Sequence, residues 1–384
     1  MINKILLSLC ILFVCGIAAQ VSAKNDDIGL SVNITMSKVG DIMEELLPII
    51  LNNERYNDPD NSPFIENKIQ DLVQLFSKAR PHFEGKTETF KISYDVLLLN
   101  IKEAQNAYKT NSVYTQNLLR EITSICTSCH TQDAKQRTLF KGANRESFAN
   151  DLDYAEFNFL TRNYPDAIKY FDKYLLASKK GTNEKQILSA LNRELLIYTQ
   201  IYNNPVKGAE HFQKYVATKK FSRYVNANLG EWVEGLENLK NSDLLKTNLD
   251  DFNNLETTVY KVFGATNKYD SAVVPSKRKV VSYIWLRGQL YRYFMDKSEK
   301  QEIPKLLFWL SIIDRATNYS HYYSFADLYL TECIVKYTQD PFAKLCFDEY
   351  EDYVTFSYSG SMGTNLPPDV KKELERLEKM VYPQ

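Results

Sequence analysis

Residues 111–130 have the sequence NSVYTQNLLREITSICTSCH. Apolar residues recur in it at steps of three and four, which predicts an amphipathic helix. The helix ends with Cys126, Cys129 and His130 within about one turn. Positions i and i+3 share a helix face, so both sulfurs lie on the same side. This spacing is typical of covalent haem attachment, in which the cysteines bond the haem and the adjacent histidine binds its iron.

The Cys-x-x-Cys pair has three other interpretations: a redox dithiol, half of a zinc site, or a plain disulfide. A zinc site needs two more ligands, and the other cysteines of the mature chain, Cys333 and Cys346, lie far along the sequence. A thioredoxin-like dithiol would need a βαβ setting, which the sequence does not indicate. The trailing histidine and an export signal favour one covalently attached haem c.

Residues 1–23 have the features of a secretory signal peptide. Lys4 supplies the positive charge, an apolar run follows, and small residues lead up to Ala23. The predicted location is therefore the periplasm. A lipid anchor through Cys15 is not favoured, because Val14 occupies a position where lipoprotein signals have a small residue. No later segment is apolar for long enough to predict a transmembrane span.

The composition predicts a folded, mainly helical chain. Its 384 residues suggest two domains, and 44% hydrophobic residues are enough for real cores. Gly and Pro are few, at 13 and 12, which favours an all-α fold. The formal net charge of −1 gives no reason to expect nucleic acid or an acidic membrane surface as a partner.

Residues 24–141 are predicted to form an antiparallel four-helix bundle, because four amphipathic patterns follow one another with short connections. The second pattern carries Ile65, Ile69, Leu72 and Phe76 and is expected to stop before Pro81. The others cover Val32–Ile50, Phe90–Tyr108 and Tyr114–Cys129, with Asn52–Asn61 expected as a loop.

The bundle also predicts which side chain faces His130 across the iron. The first helix runs antiparallel to the fourth, so its beginning lies at the end that carries the motif. Met36 is on its apolar stripe there, and His/Met ligation favours electron transfer. Met43 lies about two turns deeper and is assigned to the core. The alternatives are an open distal face and His82, which follows the second helix and could reach the iron from a loop.

Residues 28–135 resemble the class II c-type cytochromes, which comprise cytochrome c-prime and its low-spin His/Met relatives. The likeness lies in the order of parts, from Met36 on helix one to Cys-x-x-Cys-His at the end of helix four. The chain departs from the family at Asn33, where an arginine is common, and at Ala134, where a basic residue is frequent. The resemblance implies a bundle-type haem domain, with iron that is either Met-ligated or open to small gases.

Residues 146–384 are predicted to form a right-handed solenoid of helical repeats. The stretch 154–174 places small Ala155 and Ala167 where two helices approach and Tyr164 and Phe171 in the wedge between them. This stretch resembles one tetratricopeptide repeat, and looser helical pairs follow it. The Lys- and Glu-rich helix near the end is what a terminal cap requires. Such a body is expected to dock a protein partner.

Cys333 and Cys346 lie on either side of the predicted turn Gln339–Pro341. Two antiparallel helices joined there would bring the two thiols to the same level, which predicts a disulfide in an exported protein. Two buried free cysteines are the alternative.

Two functional hypotheses follow. In the first, the chain is a periplasmic electron carrier with one haem, and its repeats dock a redox partner. In the second, a five-coordinate haem senses a gas or redox state and the repeats transmit it. No catalytic residues are assigned, although an open iron would leave peroxidase-like chemistry as a third hypothesis.

Overall fold

The computed structural model describes residues 34–83, 86–132, 144–179, 181–264, 275–317, 324–361 and 363–382. The predicted signal peptide, residues 1–23 with Cys15, lies outside the described residues. None of the helices in the described ranges is long and apolar enough to cross a membrane.

The fold is all-α, as the composition predicts. The first helices are α1 (34–50), α2 (Asn53–Asn57), α3 (Ser62–Phe83), α4 (Glu88–Ala107) and α5 (Ser112–His130). The helices that follow are α6 (Asp151–Leu160), α7 (Tyr164–Ala177), α8 (Glu184–Leu196), α9 (Pro205–Thr218), α10 (Arg223–Asn241), α11 (Phe252–Phe263), α12 (Lys277–Asp296), α13 (Ile303–Thr317), α14 (Ala326–Lys336), α15 (Pro341–Ser357) and α16 (Pro368–Val381). The β structure of the described chain is one two-residue antiparallel pair, β1 (Ser359–Gly360) with β2 (Gly363–Thr364).

The described residues form two compact units. Unit one contains residues 34–83, 86–122 and 144–149, and unit two contains residues 123–132 and those described from 150 onward. The division falls within α5, so the end of that helix, with the Cys-x-x-Cys-His motif, belongs to unit two.

In unit one, α3 and α4 run antiparallel. The Tyr94 hydroxyl donates to the Phe76 carbonyl near one end, and the Tyr108 hydroxyl donates to the Ser62 carbonyl at 3.0 Å at the other. The predicted stripe of α3 is buried along its length, since its four apolar residues are at most 2% exposed. Burial of each such side chain contributes about 1.5–3 kcal/mol, which explains why the stripe determines the helix orientation.

The carboxyl end of α1 is held by α5. Gln116 Nε2 and Arg120 Nε donate to the carbonyl of Ile50 at 3.0 and 2.9 Å. The last carbonyls of a helix have no partner within it, and a guanidinium there also complements the negative end of the helix dipole. The end of α1 therefore lies against the first half of α5, as an antiparallel pair requires.

Two local predictions were wrong in unit one. The α3 helix passes through Pro81 and ends at Phe83; the proline removes one backbone donor in the last turn, and only two helical residues follow it. The expected loop at 52–61 contains α2 and a 3₁₀ turn. Its asparagine and aspartate side chains cap these elements, with Asn52 accepting from Glu54 N and Asp58 from Asp60 N.

In unit two, most helices pack against the next helix along the chain, and α10 packs most extensively against α12, the second helix after it. The most extensive helix–helix contacts are those of α6 with α7, α9 with α10, α10 with α12, α12 with α13, α13 with α14 and α14 with α15. Trp232, Trp285 and Trp309 are at most 1% exposed. Cys333 of α14 and Cys346 of α15 are joined by a disulfide, with Cα atoms 6.3 Å apart.

The contact between α10 and α12 depends on a residue without a side chain. A Cβ at Gly235 would lie 2.5 Å from the Arg278 carbonyl oxygen and 2.8 Å from Val281 Cγ2. Because a backbone atom is one of the two, a neighbouring rotamer change cannot make room. On the same helix, Gly230 is exposed and has no atom within 4 Å of the corresponding position.

We therefore expect Gly235→Ala to lower the free energy of unfolding by about 1–3 kcal/mol through overpacking. The matched control Gly230→Ala should raise it by up to about 1 kcal/mol, because alanine is the better helix former at an exposed position. Urea unfolding followed by circular dichroism measures both. Equal effects of the two variants would contradict the close approach of α10 and α12.

Candidate functional site

The α5 helix continues without a break through the Cys-x-x-Cys-His motif. Cys126 and Cys129 are three residues apart on it, so they share one face, and both are free thiols with partly exposed side chains. Thr127 and Ser128 between them are buried, and their hydroxyls donate to carbonyls one turn back, at 2.9 and 3.2 Å. The residues between the cysteines therefore face the protein, and the cysteines line the more open side.

The imidazole of His130 is oriented by α6. Its Nδ1 lies 2.5 Å from the carbonyl oxygen of Leu160, the last residue of that helix. A carbonyl oxygen can only accept, so Nδ1 carries the proton and the lone pair is on Nε2. Burial, with the charge of Arg162 as a second cause, lowers the pKa of His130 to about 3. The ring is therefore neutral at pH 7, with Nε2 as its unprotonated nitrogen.

The two thiols are not activated as nucleophiles. Burial raises the pKa of Cys126 to about 12, with the neighbouring Cys129 adding to the shift, and raises that of Cys129 to about 11. Reactive dithiols have the opposite property, because a lowered pKa supplies the thiolate that attacks a disulfide.

The residue after the motif is held by two distant helices. The carbonyl of Thr131 accepts from Gln200 Nε2 at 2.9 Å, and its hydroxyl accepts from a terminal guanidinium nitrogen of Arg287 at 3.3 Å. Gln200 lies in a π-helical turn that follows α8, and Arg287 lies in the middle of α12. Thr131 is 2% exposed. The helices of unit two therefore fix the backbone next to His130.

Arg287 also forms an ion pair in the interior of unit two. Its Nε donates to Asp314 Oδ1 at 2.7 Å, and both side chains are fully buried. The second carboxylate oxygen of Asp314 accepts from the backbone N–H of Phe325 at 3.1 Å. The guanidinium lies over the ring of Tyr291, 4.6 Å from its centroid. These contacts compensate for the loss of water around two buried charges.

Sequence reasoning missed Arg287 and Asp314. A signal was present in the chain, because Arg287 follows the apolar residues Trp285 and Leu286, and a charge buried beside such residues requires a partner. The partner itself, 27 residues away, has no marker in the sequence.

The predicted distal ligands lie in unit one. Met36 is on α1 with a partly buried side chain, and Met43, one heptad further, is 7% exposed. His82 is in the last turn of α3 rather than in a loop, because that helix continues past Pro81. The motif is in unit two, so the ligand opposite His130 stays a prediction.

Replacing one member of the buried ion pair should leave the other charge without compensation. We expect Arg287→Leu and Asp314→Leu each to lower the free energy of unfolding by about 3–5 kcal/mol. The double variant should lose less than the sum of the two, since it buries no charge. Chemical unfolding of all four proteins gives the coupling energy. Additive losses would show that the two side chains do not interact.

No protein-family model, curated protein or solved structure matches this chain. Its function is therefore inferred from the chemistry and geometry of its own residues. Those residues are two thiols on one helix face and an adjacent imidazole with a fixed tautomer.

Proposed function

We propose that this chain is an exported monohaem c-type cytochrome that carries single electrons, with a helical-repeat body that docks its redox partner. The observation that carries the proposal is the arrangement of the motif. Cys126 and Cys129 lie on the partly exposed side of α5, and the hydrogen bond from His130 Nδ1 to Leu160 leaves Nε2 as the donor to a metal. A ligating histidine usually donates its other nitrogen to a carbonyl or carboxylate in this way.

The donor atoms suit a haem better than a single metal ion. Among the described residues, three ligand atoms of His, Cys, Asp or Glu lie within 4.8 Å of one another only at Asp172, Glu194 and His211. The thiols and imidazole of the motif are thus not gathered around one point. Such a separation would suit a haem, which Cys126 and Cys129 would hold covalently and whose iron His130 would bind. When bound, the haem supplies reversible one-electron transfer.

The protein's own part is to hold the imidazole in place. The Leu160 carbonyl fixes the tautomer and ring direction, and its hydrogen bond makes Nε2 a stronger donor. Gln200 and Arg287 hold Thr131, so the backbone beside the ligand has little freedom to move. A rigid ligand keeps the reorganisation that accompanies electron transfer small.

The proposed architecture is a four-helix bundle of α1, α3, α4 and α5, followed by a tetratricopeptide-like solenoid from α6 onward. The antiparallel contacts of α3 with α4 and of α1 with α5 support the bundle. The packing of successive helices in unit two supports the solenoid.

The proposed location is the periplasm. Residues 1–23 supply the predicted signal, and the Cys333–Cys346 disulfide is a bond that persists in an oxidising compartment.

Met36 is the proposed axial ligand opposite His130. A methionine sulfur would fill the remaining coordination position of the iron and prevent small gases from binding there, which suits an electron carrier. If the distal position were open instead, the same motif would serve a sensor whose repeats transmit the ligand state. His82, in the last turn of α3, is the weaker alternative to Met36.

One prediction of the proposed function concerns the covalent attachment of haem. The protein purified from an exporting host should keep its haem through denaturation, and Cys126→Ser with Cys129→Ser should abolish this. The matched control is Cys333→Ser with Cys346→Ser, which removes the other cysteine pair and should keep haem in full amount. Haem staining of denaturing gels and the pyridine haemochrome spectrum measure both. A wild-type protein without covalent haem would overturn the proposed function.

The second prediction concerns the distal ligand. Met36→Ala should convert a six-coordinate haem into one that binds carbon monoxide rapidly, because the position opposite His130 opens. Met43→Ala is the control on the same helix. It should lower stability by about 2–5 kcal/mol as a core truncation but leave carbon monoxide binding slow. Rapid binding by the unmodified protein, unchanged in Met36→Ala, would reject Met36 and favour the gas sensor.

A further inference from the structure

A second group of ligand-type side chains lies in unit two, where three successive helices meet. Asp172 comes from α7, Glu194 from α8 and His211 from α9. One ligand atom from each lies within 4.8 Å of the others. Neither carboxylate is near His211 in the chain, so the sequence pattern gives no indication of this group.

The distances around His211 match the spacing of ligand atoms that share one cation. Its Nε2 is 3.2 Å from Glu194 Oε2 and 3.3 Å from Asp172 Oδ1. Charge-assisted N–H···O bonds are shorter, at about 2.7–2.9 Å, and the single proton on Nε2 cannot point at both oxygens. In a tetrahedral zinc site with bonds of about 2.1 Å, ligand atoms lie about 3.4 Å apart. The observed separations are close to that value.

The burial and charge of the cluster also favour a cation. The Glu194 side chain is fully buried and His211 is 11% exposed, while Asp172 is 32% exposed and leaves a route to solvent. The cluster therefore sets two carboxyl groups against a single imidazole, an excess of acidic over basic side chains.

Neighbouring side chains hold the three ligands in place. The hydroxyl of Tyr215 contacts both carboxylates, Asp172 Oδ1 and, at 3.2 Å, Glu194 Oε1. The ring of Tyr198 lies 4.9 Å from the imidazole of His211 between centroids. Hydrogen bonds of this kind orient the carboxylates of metal sites.

We propose that Asp172, Glu194 and His211 bind a divalent first-row transition metal, with zinc the best match to one imidazole and two carboxylates. Three protein ligands leave a fourth position for water. The metal would join α7, α8 and α9. These helices follow α6, whose Leu160 carbonyl contacts His130. This site is independent of the proposed haem.

The test is zinc titration into the metal-stripped, haem-loaded full chain by isothermal calorimetry. One saturable equivalent is expected. Asp172→Asn and His211→Gln should lose stoichiometric binding, and Tyr215→Phe should weaken it about 10- to 100-fold by removing only a supporting hydrogen bond. The matched control is Glu156→Gln. It removes another largely buried carboxylate, paired with Arg193 at 2.6 Å, and should bind zinc as the wild type does.

Two further measurements keep the result unambiguous. Circular dichroism shows which variants are folded. If a ligand variant is not folded, the zinc affinity of Tyr215→Phe is the test instead. The Cys126→Ser, Cys129→Ser protein should still bind one zinc, which separates this site from thiols left free if no haem attaches. Absence of saturable binding by the wild type, or unchanged binding by folded Asp172→Asn and His211→Gln, would overturn the proposal.

Discussion

The direction of the His130 ring depends on one hydrogen bond, from Nδ1 to the Leu160 carbonyl 2.5 Å away. The acceptor is available because Leu160 ends α6, and the last carbonyls of a helix have no partner within it. The end of one helix thereby sets the tautomer of a residue at the end of another. Any movement of α6 relative to α5 would stretch this bond and turn the imidazole. The packing of the first helical pair of unit two is therefore part of the proposed ligand's environment.

The contacts of Thr131 extend the same constraint. Arg287 reaches it from α12 and is itself fixed by Asp314, so a chain of buried polar contacts runs from the motif to the start of α14. A buried ion pair contributes little net stability compared with well-packed apolar residues, because desolvation offsets its attraction. Its value lies in geometry, since the two charges are satisfied in only one arrangement of α12 and α13. That arrangement also places the donor that holds Thr131.

Sequence patterns predicted the all-α fold and most helices because burial of an apolar stripe is a local, periodic signal. The stripe from Ile65 to Phe76 shows this, since its residues are buried at the predicted spacing. The errors arose where short polar side chains cap helices at 52–61 and where Pro81 lies so near the end of α3 that the helix continues past it. The motif was visible because its spacing is local. The contact of His130 with the Leu160 carbonyl was not visible in the sequence, because backbone atoms carry no residue-specific signal and the two residues are 30 positions apart. Asp172, Glu194 and His211 were missed for a related reason, since packing of three helices brings them together.

The two groups of ligand-type residues differ in a way that indicates what each can hold. In the motif, two thiols share one helix face and an imidazole is oriented by a separate contact, so its donors would suit different parts of the proposed haem. At Asp172, Glu194 and His211 the donors converge within 4.8 Å, which suits a single ion. The charges of the two sets also differ. The partly buried setting of the motif keeps its thiols protonated and His130 uncharged. The second cluster brings two carboxyl groups, one fully buried and one 32% exposed, against one imidazole. A neutral, spread set of donors and an anionic, convergent one would select a haem and a divalent metal respectively, so one polypeptide can hold both without either site competing for the other's ligand.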